Sequence, residues 1–232
     1  MNHLQSKSCA IIIFLLCALV FPLTSLAHGV DDATRSFLEN NTGIHFGPFL
    51  YIGAKHMVTG YDHLLFLFGV MFFLYKSKDI LLYVTMFTIG HSTTLLLGAL
   101  SHVAINAYLI DAIIGLSVVY KAFDNLGGFE TVFHWRPNPK TAVLVFGLFH
   151  GLGLATKLQE FQLDPNGLLA NLVAFNIGVE LGQFLALMFI VLFLNYLRRL
   201  PLFSKLTLSV NTFLMCCGFT LMGFQLTGYL VN

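Results

Sequence analysis

The side chains able to do chemistry in this 232-residue chain sit within strongly apolar sequence. His56, Asp62 and His63 fall in HMVTGYDHLLFLFGVMFF, His91 in FTIGHSTTLLLG, Asp111 in LIDAIIGLS, His150 in FGLFHGLGLA and Glu180 in FNIGVELGQ. Imidazole nitrogen combined with carboxylate oxygen suits borderline divalent ions such as Ni²⁺, Co²⁺, Zn²⁺ or Fe²⁺. Neutral imidazole binds a metal and imidazolium does not, so the same groups can link metal to protons. Ionisable groups inside a membrane are costly and turn toward the bundle interior. One buried histidine alone reads best as a hydrogen-bond donor between helices. Such groups on five spans together point to an ion site or pathway.

Spacing adds supporting residues. Asn176, Glu180 and Gln183 lie at i, i+4 and i+7 and share one helix face, and Thr88, His91 and Ser92 share another. Thr88, Ser92, Asn176 and Gln183 are expected either to orient ligands or to join helices. Gly147, Gly151 and Gly153 flank His150, while Gly178 and Gly182 flank Glu180; small residues let backbones approach closely. A short echo links two segments: Phe87 precedes His91 by four residues, as Phe146 precedes His150. Adjacent Cys216 and Cys217 lack charged neighbours and read as small apolar packers.

The elements that must position these groups follow from composition. Hydrophobic residues make up 57% of the chain and charged residues 10%, against about 25% charged in soluble domains. This predicts an all-α polytopic membrane helix bundle. Six spans are expected, over roughly residues 49–75, 80–100, 104–124, 141–159, 169–196 and 206–229, each near the length a bilayer requires. Gly60 is expected to break or bend the first. Lys7, the apolar run IIIFLLCALVF, and small Ser25 and Ala27 predict a signal peptide over 1–27, with an uncleaved anchor as the alternative. Residues 28–46 read as a short periplasmic segment and 47–232 as the transmembrane domain.

Lys76, Lys78, Arg136, Lys140, Arg198, Arg199 and Lys205 all fall in the loops of one side. The positive-inside rule makes that side cytoplasmic, which predicts the bacterial inner membrane and a periplasmic mature N-terminus. A net charge of +1 without a basic tract gives no footing for nucleic acid. There is no HExxH, no nucleotide-binding motif and no connection large enough for a soluble catalytic domain, so the chain reads as a non-enzyme.

Taken in order, the five polar blocks resemble the HupE/UreJ family of small bacterial membrane proteins associated with hydrogenase and urease systems, whose members are regarded as nickel or cobalt permeases. The resemblance implies that His56, Asp62 and His63 match the family's first His–Asp–His motif, His91 its second motif, His150 its fourth-span His–Gly motif and Glu180 the carboxylate of the fifth span. It also implies Ni²⁺ or Co²⁺ as the transported ion, no tightly bound cofactor, and a hydrogenase or urease maturation system as partner. The expected metal-ligand set is His56, Asp62, His63, His91, Asp111, His150 and Glu180. An accessory or metal-sensing protein for metalloenzyme assembly is the alternative, and an intramembrane metallohydrolase with Glu180 as base comes third.

Overall fold

A computed structural model describes residues 42–101, 105–159, 166–201 and 203–231. The expected signal peptide and all but the last few residues of the periplasmic segment lie outside these residues. The helices are α1 (Phe46–Thr59), α2 (Tyr61–Met71), α3 (Ser77–Ser101), α4 (Ala107–Asn125), α5 (Gly128–Phe133), α6 (Pro139–Gln159), α7 (Leu168–Arg198) and α8 (Phe203–Val231). The fold is an all-α polytopic membrane bundle.

Among the described residues, four helices are long and apolar enough to cross a membrane singly: α3, α6, α7 and α8. This corrects the expectation of six such spans, and each of the other two departs for a local reason. The first expected span is divided at Gly60 into helices of 14 and 11 residues. The third, α4, has 19 residues but carries Asp111, Lys121 and Asp124.

Gly60 leaves the helical region with ψ 100°, while its amide still donates to the His56 carbonyl at 2.8 Å. Its lack of a side chain is a packing requirement. A Cβ there would lie 2.9 Å from His63 Nδ1 and 3.2 Å from Asp62 Oδ1. The residue that breaks the helix thus also makes room for the polar pair that opens α2.

Three helix pairs frame α2: α1 with α7, α3 with α6, and α4 with α8. Glycine contacts set their register. A Cβ on Gly53 would strike the Phe175 carbonyl, one on Gly178 the Leu50 carbonyl, and one on Gly182 would sit 3.0 Å from Met57 Cβ, so α1 and α7 run parallel. Gly147 against the Phe87 carbonyl and Gly151 against the His91 carbonyl make α3 and α6 parallel too. Gly115 against Met222 and Gly218 against Val119 make α4 and α8 antiparallel. The echo between the His91 and His150 segments therefore belongs to two parallel helices in direct contact. Close backbone approach of this kind is how helices associate where no water is available to drive them together.

Short α2 contacts α4, α7 and α8. The outer face of α7 exposes Leu181, Phe184, Leu185, Phe189, Leu192 and Phe193, a continuous apolar surface suited to lipid. At one end of the bundle, near Arg198, side chains from other helices satisfy the last carbonyls of α2. Arg198 Nη2 donates to the carbonyls of Met71 (2.6 Å), Phe72 (3.0 Å) and Leu74 (2.9 Å), and Asn125 Nδ2 donates to Gly69 O at 2.9 Å. A helix end buried among apolar groups requires such partners. Cys216 is exposed and Cys217 buried.

Candidate metal site

The break at Gly60 puts His56 at the end of α1 and His63 in the first turn of α2 within reach of each other. Their ring centroids are 5.2 Å apart. His63 also meets the two histidines of the α3–α6 pair, His150 at 4.8 Å and His91 at 6.0 Å. Four imidazoles from four helices thus cluster around α2. His63, His91 and His150 are each no more than 2% exposed. Phe66, Phe87 and Phe175, each 1% exposed, wall the cluster, with centroids 5.3 Å (Phe66–His150), 5.1 Å (Phe87–His150) and 6.2 Å (Phe175–His56) from the imidazoles.

Hydrogen bonding fixes two of these rings. His63 Nδ1 lies 2.9 Å from Asp62 Oδ1, which also accepts the His63 backbone N–H at 2.9 Å. A carboxylate accepts, so Nδ1 carries the hydrogen and the Nε2 lone pair is free. His150 Nδ1 donates to the Phe146 carbonyl at 2.8 Å, which likewise frees Nε2. A carboxylate or carbonyl behind the far nitrogen is the usual support of a metal-binding histidine.

What faces those lone pairs is telling. Eight buried side-chain nitrogen or oxygen atoms lack a partner among the described residues, and five belong to this cluster: His56 Nε2, His63 Nε2, both nitrogens of His91, and His150 Nε2. Each unmade buried hydrogen bond costs about 1–3 kcal/mol, so five in one place is not a feature that folding alone would favour. No group of three or more His, Cys, Asp or Glu side chains among the described residues is arranged to hold one ion. The two observations agree once the contacts are traced: His63 is a hub, and the other three rings surround it without meeting one another.

The remaining predicted residues fall elsewhere. Asp62 lies behind His63. Asp111, 6% exposed, pairs with Lys157 Nζ at 3.0 and 3.2 Å, joining α4 to the end of α6. Glu180 is exposed on α7, away from the imidazole contacts. The shared face of Asn176, Glu180 and Gln183 spans enough arc that its edges differ, since about 60° separates Glu180 from Gln183 around a helix of 3.6 residues per turn. Gln183 is 2% exposed and turned inward.

The four supporting residues bond across α3 and α7. Thr88 Oγ1 donates to Gln183 Oε1 at 3.0 Å, and Ser92 Oγ donates to Asn176 Oδ1 at 3.1 Å. Two polar bridges thus run beside His91, and none of their atoms bonds an imidazole.

Sequence reasoning missed a second polar group near Arg198. Asp124, 5% exposed, holds Lys121 Nζ at 2.6 Å and Arg136 Nε at 3.1 Å. Asn125 bonds both Gly69 O and Asn211 Oδ1, each at 2.9 Å. Buried Asp124 and Asn211 lie in apolar helical sequence like the histidines, and that was the signal available. Asn171 is another, taking the His45 amide and giving to Gly43 O, both at 2.8 Å, to dock the start of α1 on α7.

A family model described as HupE / UreJ protein matches residues 32–232. No curated protein and no solved structure gives a match.

Proposed function

The chain belongs to the HupE/UreJ protein family, and from that premise we propose that it carries a divalent transition-metal ion, Ni²⁺ or Co²⁺, across the bacterial inner membrane through the imidazole cluster. The observation that supports this reading is the set of five bare, buried imidazole nitrogens on four helices. Imidazole suits borderline ions and not Mg²⁺ or Ca²⁺, which take oxygen. A dehydrated ion needs ligands that replace its water while still letting it leave. A cluster without a closed, saturated ligand set meets both conditions.

In this reading His56, His63, His91 and His150 are the ligands and Asp62 orients His63. Asp111 and Glu180 stand outside the ligand cluster. Residues 1–27 direct export, and the Lys/Arg-bearing loops face the cytoplasm, so the ion moves inward from the periplasm.

Sealed proteoliposomes containing the purified chain test the proposal, with an imposed pH gradient and membrane potential. Uptake of Ni²⁺ or Co²⁺ in preference to Mg²⁺, lost in His150→Leu, is the expected result. Equal traces in protein-containing and protein-free vesicles, from protein shown to be folded, would refute it.

A further inference from the structure

The contacts inside the cluster distinguish two ways of handling an ion. Four imidazoles closed around one tetrahedral ion, bound through nitrogen at about 2.1 Å, would hold every pair of ring centroids near 5 Å. Here each close imidazole–imidazole contact among the described residues includes His63: to His56 at 5.2 Å, to His150 at 4.8 Å and to His91 at 6.0 Å. His56, His91 and His150 make no ring contact with one another among those residues. His63 also stands between the two parallel pairs. His56 belongs to the α1–α7 pair, beside Phe175, while His91 and His150 belong to the α3–α6 pair. The glycine contacts that fix each pair hold these outer histidines on separate frames.

His63 has one lone pair to offer. Its Nδ1 hydrogen is committed to Asp62, so Nε2 can bind a single ion at a time. His91 is the opposite case, with both ring nitrogens buried and unpartnered; nothing in the described structure fixes which of them faces an arriving ion.

On the transport reading above, we infer that His63 is a shared ligand that hands the ion from His56 to His150 and His91, one ion at a time, so that the cluster is a relay between two helix pairs and not a single four-imidazole cage. The ion stays on His63 Nε2 and exchanges its second imidazole, with His56 in one ligand set and His150 or His91 in the other. Water supplies the remaining ligands. The transfer breaks one metal–nitrogen bond as another forms and moves no proton or electron. Asp62 serves both sets equally because it orients the ligand they share.

Co²⁺ binding to the full chain in nanodiscs tests this, with stoichiometry from equilibrium dialysis and imidazole number from X-ray absorption. The relay predicts one Co²⁺ per chain bound by two or three imidazoles. His56→Leu and His150→Leu should each keep that one ion, with affinity lowered less than about tenfold, while His63→Leu should lose more than the roughly 10- to 100-fold that removing a supporting partner costs. Should His63→Leu not stay monodisperse, Asp62→Ala replaces it; the relay requires it to weaken binding by the same factor, about 10- to 100-fold, in the His56→Leu and His150→Leu backgrounds alike. Four imidazoles on one ion, comparable large losses in all four single histidine variants, or an Asp62→Ala effect confined to one background would overturn the relay. Proteoliposome uptake reports separately on transport. The relay binding pattern without uptake would sink the transport reading alone, and uptake with a four-imidazole signature would sink the relay alone.

Discussion

The imidazole cluster and the Arg198 end of the bundle are both buried and polar, yet they are built in opposite ways. Near Arg198, most donors meet acceptors: Asp124 has Lys121 and Arg136, Asn125 has Gly69 and Asn211, and Arg198 Nη2 caps the Met71 carbonyl that ends α2 and the Phe72 and Leu74 carbonyls beyond it, with Arg198 Nε alone left bare in this group. Around His63, five ring nitrogens have no partner. Both regions bear the cost of taking polar groups from water. The first recovers most of it from within the protein, as a scaffold does; the second leaves five ring nitrogens uncompensated, which the proposed function assigns to the ion. Helix α2 joins the two, with its first turn in the cluster and its last carbonyls in the clamp.

The sharpest way to break this comparison is to make both regions apolar and compare the signs of the effects. His63→Leu should abolish metal uptake in proteoliposomes, a loss beyond the roughly 10- to 100-fold that removing only a ligand's supporting partner costs. The detergent melting temperature of His91→Leu, where both ring nitrogens are unpartnered, should not fall, because a bare buried polar group is replaced by one that needs no partner. A melting temperature lowered as far as that of the scaffold variants would end the distinction. Asp124→Ala should do the reverse and destabilise the fold by about 3–5 kcal/mol, the cost of stranding a buried charge, here Lys121. Arg136 is 53% exposed at its side chain and adds little to that figure. Thermal unfolding in detergent reads this directly, and Co²⁺ affinity in the surviving folded fraction should match the parent chain.

Smaller effects sharpen the contrast. Gly151→Ala pushes a methyl into the His91 carbonyl, and overpacking of this kind costs about 1–3 kcal/mol. Since it also shifts His91 relative to His150, uptake should fall more than stability does. An uptake loss no larger than the loss of folded protein would show that the register of α3 on α6 does not matter to the site. The smallest change is expected at the polar bridges. Thr88→Val removes the donor to Gln183 and should cost about 1 kcal/mol, with the Co²⁺ spectrum unchanged. A changed spectrum would bring this bridge into the ion's surroundings.

Much of the fold was legible because the solvent is lipid. Runs such as LLANLVAFNIGVE can satisfy their backbone in lipid only as helices, so the segments around His91, His150 and Glu180 appear where hydropathy put them. Gly60 was legible as a break. The six-span expectation did not carry over, because apolar content averaged over residues 49–75 hides the change of direction at Gly60, and α4 carries three charges that a count of apolar residues overlooks. The pairing of Thr88 and Ser92 with Gln183 and Asn176 followed one of the two roles that spacing allowed. Asp124 went unnoticed because it closes the expected span 104–124, where a carboxylate reads as facing water until its burial is known.

Sequence alone determined the chemical identity of the polar residues, their placement on apolar helices, the break before Asp62 and His63, and the small residues beside His150 and Glu180. All of these depend on local chain chemistry and on the exclusion of water, which act over a few residues. Tertiary structure decided which polar residues meet. Helix rotation and crossing turned His56, His63, His91 and His150 toward one place, left Glu180 on the outer face of α7, and gave Asp111 to Lys157. A shift of about 60° around a helix axis separates a buried side chain from an exposed one, and that angle is set by the glycine contacts between helices distant in the chain, not by the spacing of residues within any one of them.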